Sequence, residues 1–177
     1  GILIAVCGAF VLTMILGIGK EKDSILEDLG VEPSDSKQSV NTSNDENEAP
    51  QEIIVPIKGE VIELNQISDD VFSQGLMGEG FGVIPSQGNI YAPFDGTVTM
   101  LFDTLHAIGL TSDNGLELLI HVGIDTVNLK GEGFSPTVKE GEHFKAGDLL
   151  MTFDIGKIQA ANYLIETAVV ITNGKSY

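Results

Sequence analysis

Two of the chain's three histidines lie in TLHAIGLTSDNGLELLIHVGIDTVNL, residues 104–129. Each sits within an apolar run, and the turn-like segment Ser112–Gly115 separates the runs. Such a segment between strand-like runs signals a hairpin, which would bring His106 and His121 together. A two-residue turn at Asp113-Asn114, or a four-residue loop over 112–115, sets His106 directly across from His121. A turn at Asn114-Gly115 makes them diagonal neighbours. Both registers keep the imidazoles on one face, because strand side chains alternate. Opposed Cβ atoms stand about 5 Å apart and diagonal ones about 7 Å. Only a three-residue turn splits the pair. Leu118, Ile120 and Val122 are expected to point the other way, into a core.

A facing pair of imidazoles admits three readings. It can be a structural pair, although two close buried histidines resist double protonation. It can hold zinc, which suits neutral imidazole, with Asp125 or Asp69 as a third ligand; the function would then be a zinc-dependent hydrolase. No zincin motif accompanies it. Or one imidazole, with an ordinary pKa of about 6.5, is a nucleophile while the other donates a hydrogen bond. The residue types leave the zinc and nucleophile readings open, and a non-catalytic binding module stands as a third function class.

The elements that must position this pair are β-strands. From residue 52 onward, GEVIEL, GFGVIP, NIYAPF, TVTMLF, HAIGLTS, LELLIHV, DLLMTFD and TAVVIT are short runs separated by Gly, Pro, Asp and Asn. Strands at this spacing predict an all-β sandwich or barrel. Only GKIQAANYLIE has a helical pattern, and it is short. The upstream residues differ. Ile2–Ile18 is 17 residues without a charge, at the lower limit for a membrane-spanning helix. No basic region precedes it and no small-residue cleavage site closes it, which argues against a signal peptide. We expect residues 1–19 to be the end of a last transmembrane helix of a longer protein. Lys20 and Lys22 favour a cytoplasmic location for the residues downstream of them. Residues 20–50, rich in Ser, Asp, Asn and Glu, bury too little to offset their ordering entropy and are expected to form a flexible acidic linker. A short helix around Ile25, Leu26 and Leu29 is the exception. About 30 such residues reach roughly 30 Å, keeping the domain at 51–177 near the membrane.

Charge narrows the partners. The chain carries 9 Lys, no Arg and 26 acids, net −17; from residue 52 onward the balance is 6 Lys against 17 acids, net −11. A nucleic-acid binder needs a basic face, so nucleic acid is excluded. A protein with a basic patch fits better, because complementary charge speeds encounter. Cys7 is the only cysteine. It permits no internal disulfide and, within an apolar run, is assigned no chemistry.

IYAPFDGTV, TLHAIGLTSDNGLELLIHVGIDTVNLKGEGF, VKEGEHFKAGDLL and the closing VVITN resemble the IIA domain of the glucose-type phosphotransferase-system permeases. The resemblance spans about residues 53–173. The segment before it is similar to the end of a membrane-embedded IIC domain and a linker, in the order of β-glucoside-, sucrose- and trehalose-type IIBCA permeases. The resemblance implies a flattened antiparallel β-sandwich with a duplicated hybrid motif and very short helices. It implies that His121 takes a phosphoryl group from the carrier protein HPr and passes it to a cysteine of a IIB domain, which phosphorylates the sugar during uptake. By the same likeness His106 is the second active-site histidine, Thr104 fixes a tautomer, and Asp69, Phe72 and Asp125 form the rim that meets partners. No cofactor or metal is implied, and the site is expected on the cytoplasmic side of the cell membrane. The IIB cysteine is absent from this chain, so sugar phosphorylation needs domains beyond it. His143 is expected to be a bystander in a surface turn. The glycines of VKEGEHFKAGD resemble turns of biotinyl and lipoyl carriers without the modified lysine context.

Overall fold

The computed structural model describes residues 52–174. The transmembrane expectation for 1–19 and the linker expectation for 20–50 lie outside them. Among the described residues nine strands carry the fold: β1 (Ile57–Glu63), β2 (Glu79–Tyr91), β3 (Gly96–Leu101), β4 (Ala107–Ser112), β5 (Glu117–His121), β6 (Phe134–Pro136), β7 (His143–Phe144), β8 (Leu149–Phe153) and β9 (Thr167–Ile171). Every pairing is antiparallel. The strands are ordered across the sheet as β6-β8-β2-β9-β5-β4-β3-β7, with β1 added on β2. The helices are short, α1 (Asp70–Ser73) and α2 (Ile155–Ala160).

The expected all-β architecture is present, with local differences. GFGVIP and the first half of NIYAPF join into one 13-residue strand. β2 can run through Ser86-Gln87-Gly88 because it serves three neighbours: β9 along residues 79–83, β1 along much of its length and β8 along 89–91. His143 lies in the two-residue strand β7, where Nε2 pairs with the Asp113 carboxylate at 2.9 Å, rather than in a turn.

The curled sheet has two apolar layers. The larger holds Val83, Ile90, Val98, Leu118, Ile120, Val122, Leu150, Met151 and Val169, all nearly inaccessible. At about 1.5–3 kcal/mol for each fully buried aliphatic side chain, this layer supplies the main driving force for the fold. Leu118, Ile120 and Val122 face it as expected. The smaller layer lies on the other face and holds Ile67, Phe72, Ala107, Leu119, Ile124, Ala168 and Val170. β9 supplies both: Val169 and Ile171 to one, Ala168 and Val170 to the other. That explains why TAVVI is buried throughout instead of alternating. The smaller layer is the floor on which the histidines sit.

A pair of imidazoles at the end of a hairpin

The turn between β4 and β5 is the one that alternation alone would forbid. Gly115 N–H donates to Ser112 O and Ser112 N–H to Leu116 O, each at 2.9 Å, enclosing three residues, 113–115. Gly115 has φ 93°, the left-handed residue that closes such a loop. Ala107, not His106, is therefore the Cα partner of His121. The histidines meet nonetheless, with ring centroids 4.8 Å apart and planes at 85°. The reason is local. His106 precedes the strand, and Leu105 before it has φ 55°, so the strict side-to-side order of β4 starts only at Ala107.

His121 is the last residue of β5. Its two cross-strand partners are alanines, Ala107 on β4 and Ala168 on β9, so neither neighbour fills the space around the ring. Its Nδ1 lies 2.9 Å from the carbonyl of Gly123. An Nδ1–H donating to that oxygen leaves the lone pair on Nε2. Phe72 covers one side, its ring centroid 5.0 Å from that of His121. His106 is buried, with Thr104 Oγ1 at 2.6 Å from its Nδ1 and the Phe102 ring 5.4 Å away, edge-on.

Burial, with the His121 ring beside it, pulls the pKa of His106 down to about 4. His121 is lowered as well, first by burial; the Gly123 carbonyl and the charges of Asp69 and Asp125 act the other way. Both imidazoles are thus neutral near pH 7. The unfolded chain protonates them below about pH 6.5 whereas the native fold does not, so their contribution to stability is complete above that value and falls as pH drops toward about 4. Urea melts across this range should show the decline, and His106→Gln should flatten part of it.

Asp69 caps α1, its Oδ1 accepting from the backbone N–H groups of Val71 and Phe72 at 2.9 and 3.2 Å. Asp125 is exposed, in left-handed backbone at the start of the 3₁₀ turn Thr126–Leu129. Both acids act on His121 through their charge. The zinc reading finds no support in this geometry: no group of three His, Cys, Asp or Glu among the described residues is arranged to hold a metal ion.

Some contributors escape a reading by residue type. Gly123 acts through its backbone carbonyl, and the only signal is its place two residues after His121. Its φ is 73°, and a Cβ there would stand 2.5 Å from Thr126 Cγ2 and 2.8 Å from Leu164 O. Thr126, fully buried, donates its hydroxyl to Val122 O beneath the same peptide. Gly123→Ala should therefore destabilise the domain by about 1–3 kcal/mol and loosen the acceptor for Nδ1. A thermal melt gives the first effect and the imidazole Nδ1 nitrogen shift the second.

A curled antiparallel sheet holding two neutral imidazoles in contact, one with a free ring nitrogen and an acidic rim, has the makings of a phosphohistidine carrier. Known proteins of like sequence agree. A family model for the phosphoenolpyruvate-dependent sugar phosphotransferase system, EIIA 1, matches residues 51–177, and the chain belongs to that family of phosphoryl carriers. It is 47% identical over 146 residues to a PTS system beta-glucoside-specific EIIBCA component of Bacillus subtilis (strain 168), covering 82% of this chain and 23% of that protein. A component with the same description from Dickeya chrysanthemi is 52% identical over 122 residues, covering 69% of this chain and 19% of its own length. The chain thus spans about a fifth to a quarter of the curated relatives it matches. Among solved structures, the glucose permease IIA from Mycoplasma capricolum superposes with a TM-score of 0.67 at 33% identity, covering 71% of this chain and 82% of that one.

Proposed function

We propose that His121 is the phosphoryl acceptor of the IIA step in a sugar permease of the β-glucoside type, loaded by phospho-HPr and discharged to a cysteine of a IIB domain. The observation that carries this is the pair itself: His121, with Nδ1 tied to Gly123 O, in contact with His106, which is tied to Thr104. The Nε2 lone pair of His121 attacks the phosphorus of the donor phosphohistidine in line. The P–N bond to the donor breaks, and the donor imidazole keeps that electron pair. Phosphoryl transfer asks mainly for positioning and charge stabilisation, which a prearranged pair supplies. The Thr104 hydroxyl donates to Nδ1 of His106, leaving Nε2–H to donate to a phosphoryl oxygen.

Passing phosphate between imidazoles exchanges like for like, so the step is close to balanced. The chain has no Arg. Further cationic help at the transition state must come from a partner, and an acidic rim with Asp69 and Asp125 attracts a basic one. Phe72 supplies apolar contact beside the nucleophile. The relatives' EIIBCA composition supports IIB and IIC domains in the same protein and a location at the cell membrane; Lys20 and Lys22 favour the cytoplasmic side for the IIA site.

The test is phosphate incorporation. The chain incubated with phosphoenolpyruvate, the general phosphotransferase enzyme and HPr should gain one acid-labile phosphoryl group by intact mass, and none when HPr is left out. The loading rate should fall steeply with added salt as the acidic rim is screened. Absence of phosphate on the complete mixture would overturn the proposal.

A further inference from the structure

The segment that covers His121 has little of its own to hold it. It runs from Ile67 through Ser68 and Asp69 into α1, which is only four residues long. One helical turn is not stable by itself. Yet this segment brings Phe72 onto the His121 ring and sets Asp69 beside it. Ile67 and Phe72 seat its apolar side in the smaller layer. A long-range polar tie comes from Glu166. The Ser68 N–H donates to Glu166 Oε2 at 2.6 Å and the Ser68 hydroxyl to Oε1 at 3.0 Å, across 98 positions of sequence. Glu166 directly precedes β9, two residues before Ala168, the strand partner of His121. One carboxylate thus bolts the covering segment to the strand that flanks the nucleophile.

Building on the phosphocarrier reading, we propose that Glu166 is a positioning residue for phosphoryl transfer, its two oxygens clamping Ser68 so that Asp69 and Phe72 stay seated against His121. A rim carboxylate that served only to attract a basic partner would not need both oxygens committed to one residue of its own chain. Charge-assisted bonds of this kind are the stronger class. Their loss would loosen the covering segment, and a misplacement of about 1 Å near a reacting centre can cost up to about 100-fold.

The clamp and the charge make opposite demands on Glu166→Gln. That side chain loses the charge but still accepts from the Ser68 N–H through its carbonyl and donates to the Ser68 hydroxyl. With all variants checked for folding by thermal melt, Glu166→Ala should lower kcat for loading from phospho-HPr by about tenfold or more, with Ser68→Ala intermediate and Glu166→Gln near wild type. A second readout needs no phosphate. The Phe72 ring, its centroid 5.0 Å from that of His121, imposes a ring-current shift on the His121 ring protons, so their NMR shifts in Glu166→Ala should change and return to the wild-type position in Glu166→Gln. Glu166→Gln as poor as Glu166→Ala, with Ser68→Ala normal, would assign a charge role and overturn the clamp. Unchanged His121 shifts in Glu166→Ala would overturn it equally. Were the wild-type chain to take up no phosphate, the phosphocarrier reading would fall while the shift measurement still decided the clamp.

Discussion

His121→Gln should take up no phosphate under conditions that load the wild-type chain completely. The carboxamide is close in size to the imidazole, and His121 is only half-buried at the end of β5, so the fold should survive. What changes is the electron pair. The lone pair on Nε2 of a neutral imidazole lies in the ring plane and is free to attack, because Nδ1 carries the proton and spends it on the Gly123 carbonyl. An amide nitrogen has its lone pair delocalised into the carbonyl and attacks nothing at neutral pH. The loss should be complete rather than graded, since no other histidine can substitute: His106 is buried and His143 pairs with Asp113 beside the hairpin turn. Intact mass of wild type and variant after incubation with phosphoenolpyruvate, the general enzyme and HPr gives the answer. A phosphorylated His121→Gln would move the nucleophile elsewhere and sink the assignment.

That the two histidines meet was legible from a turn signal between two apolar runs; how they meet was not. Alternation predicted a shared face only for even-length loops, and the loop is odd. Leu105, in left-handed backbone, turns the chain just before Ala107, so His106 escapes the rule that governs the strand after it. No residue-type pattern announces a leucine with positive φ. The strand runs were legible because β9 and the inward positions of β5 are strongly apolar, whereas α1, one turn long, has no period to detect. Thr104 entered through likeness to known relatives, and the structure supplies its physical setting, 2.6 Å from the ring it adjoins. Gly123 and Glu166 act through a carbonyl and through a partner 98 positions away, and neither relation is written in local spacing.

His106→Gln should separate loading from discharge. In the empty site His106 is neutral, held near pKa 4 by burial and its neighbour. A phosphoryl group on His121 reverses that balance. Nearly two negative charges then stand against the second ring, and an adjacent anion favours the protonated imidazole. His106 can thus become a cation when the phosphate arrives and give a charge-assisted hydrogen bond to its oxygens. Glutamine keeps a polar N–H but cannot take up a proton, and it offers no ring Nδ1 for Thr104 to orient. Loading driven by excess phosphoenolpyruvate should still reach one phosphate per chain, because the end point depends on the supply and not on the rate. Turnover should suffer: loss of a preorganised donor to a reacting oxygen typically costs about 100- to 1,000-fold, and transfer to a IIB domain should slow by that order. Thr104→Val, which leaves the ring and removes only the hydroxyl that orients it, should show a smaller loss of the same kind. Timed transfer from preloaded chains to IIB distinguishes these outcomes. Equal discharge rates for wild type and His106→Gln would reduce the second histidine to a structural neighbour and leave His121 to act with its partners alone.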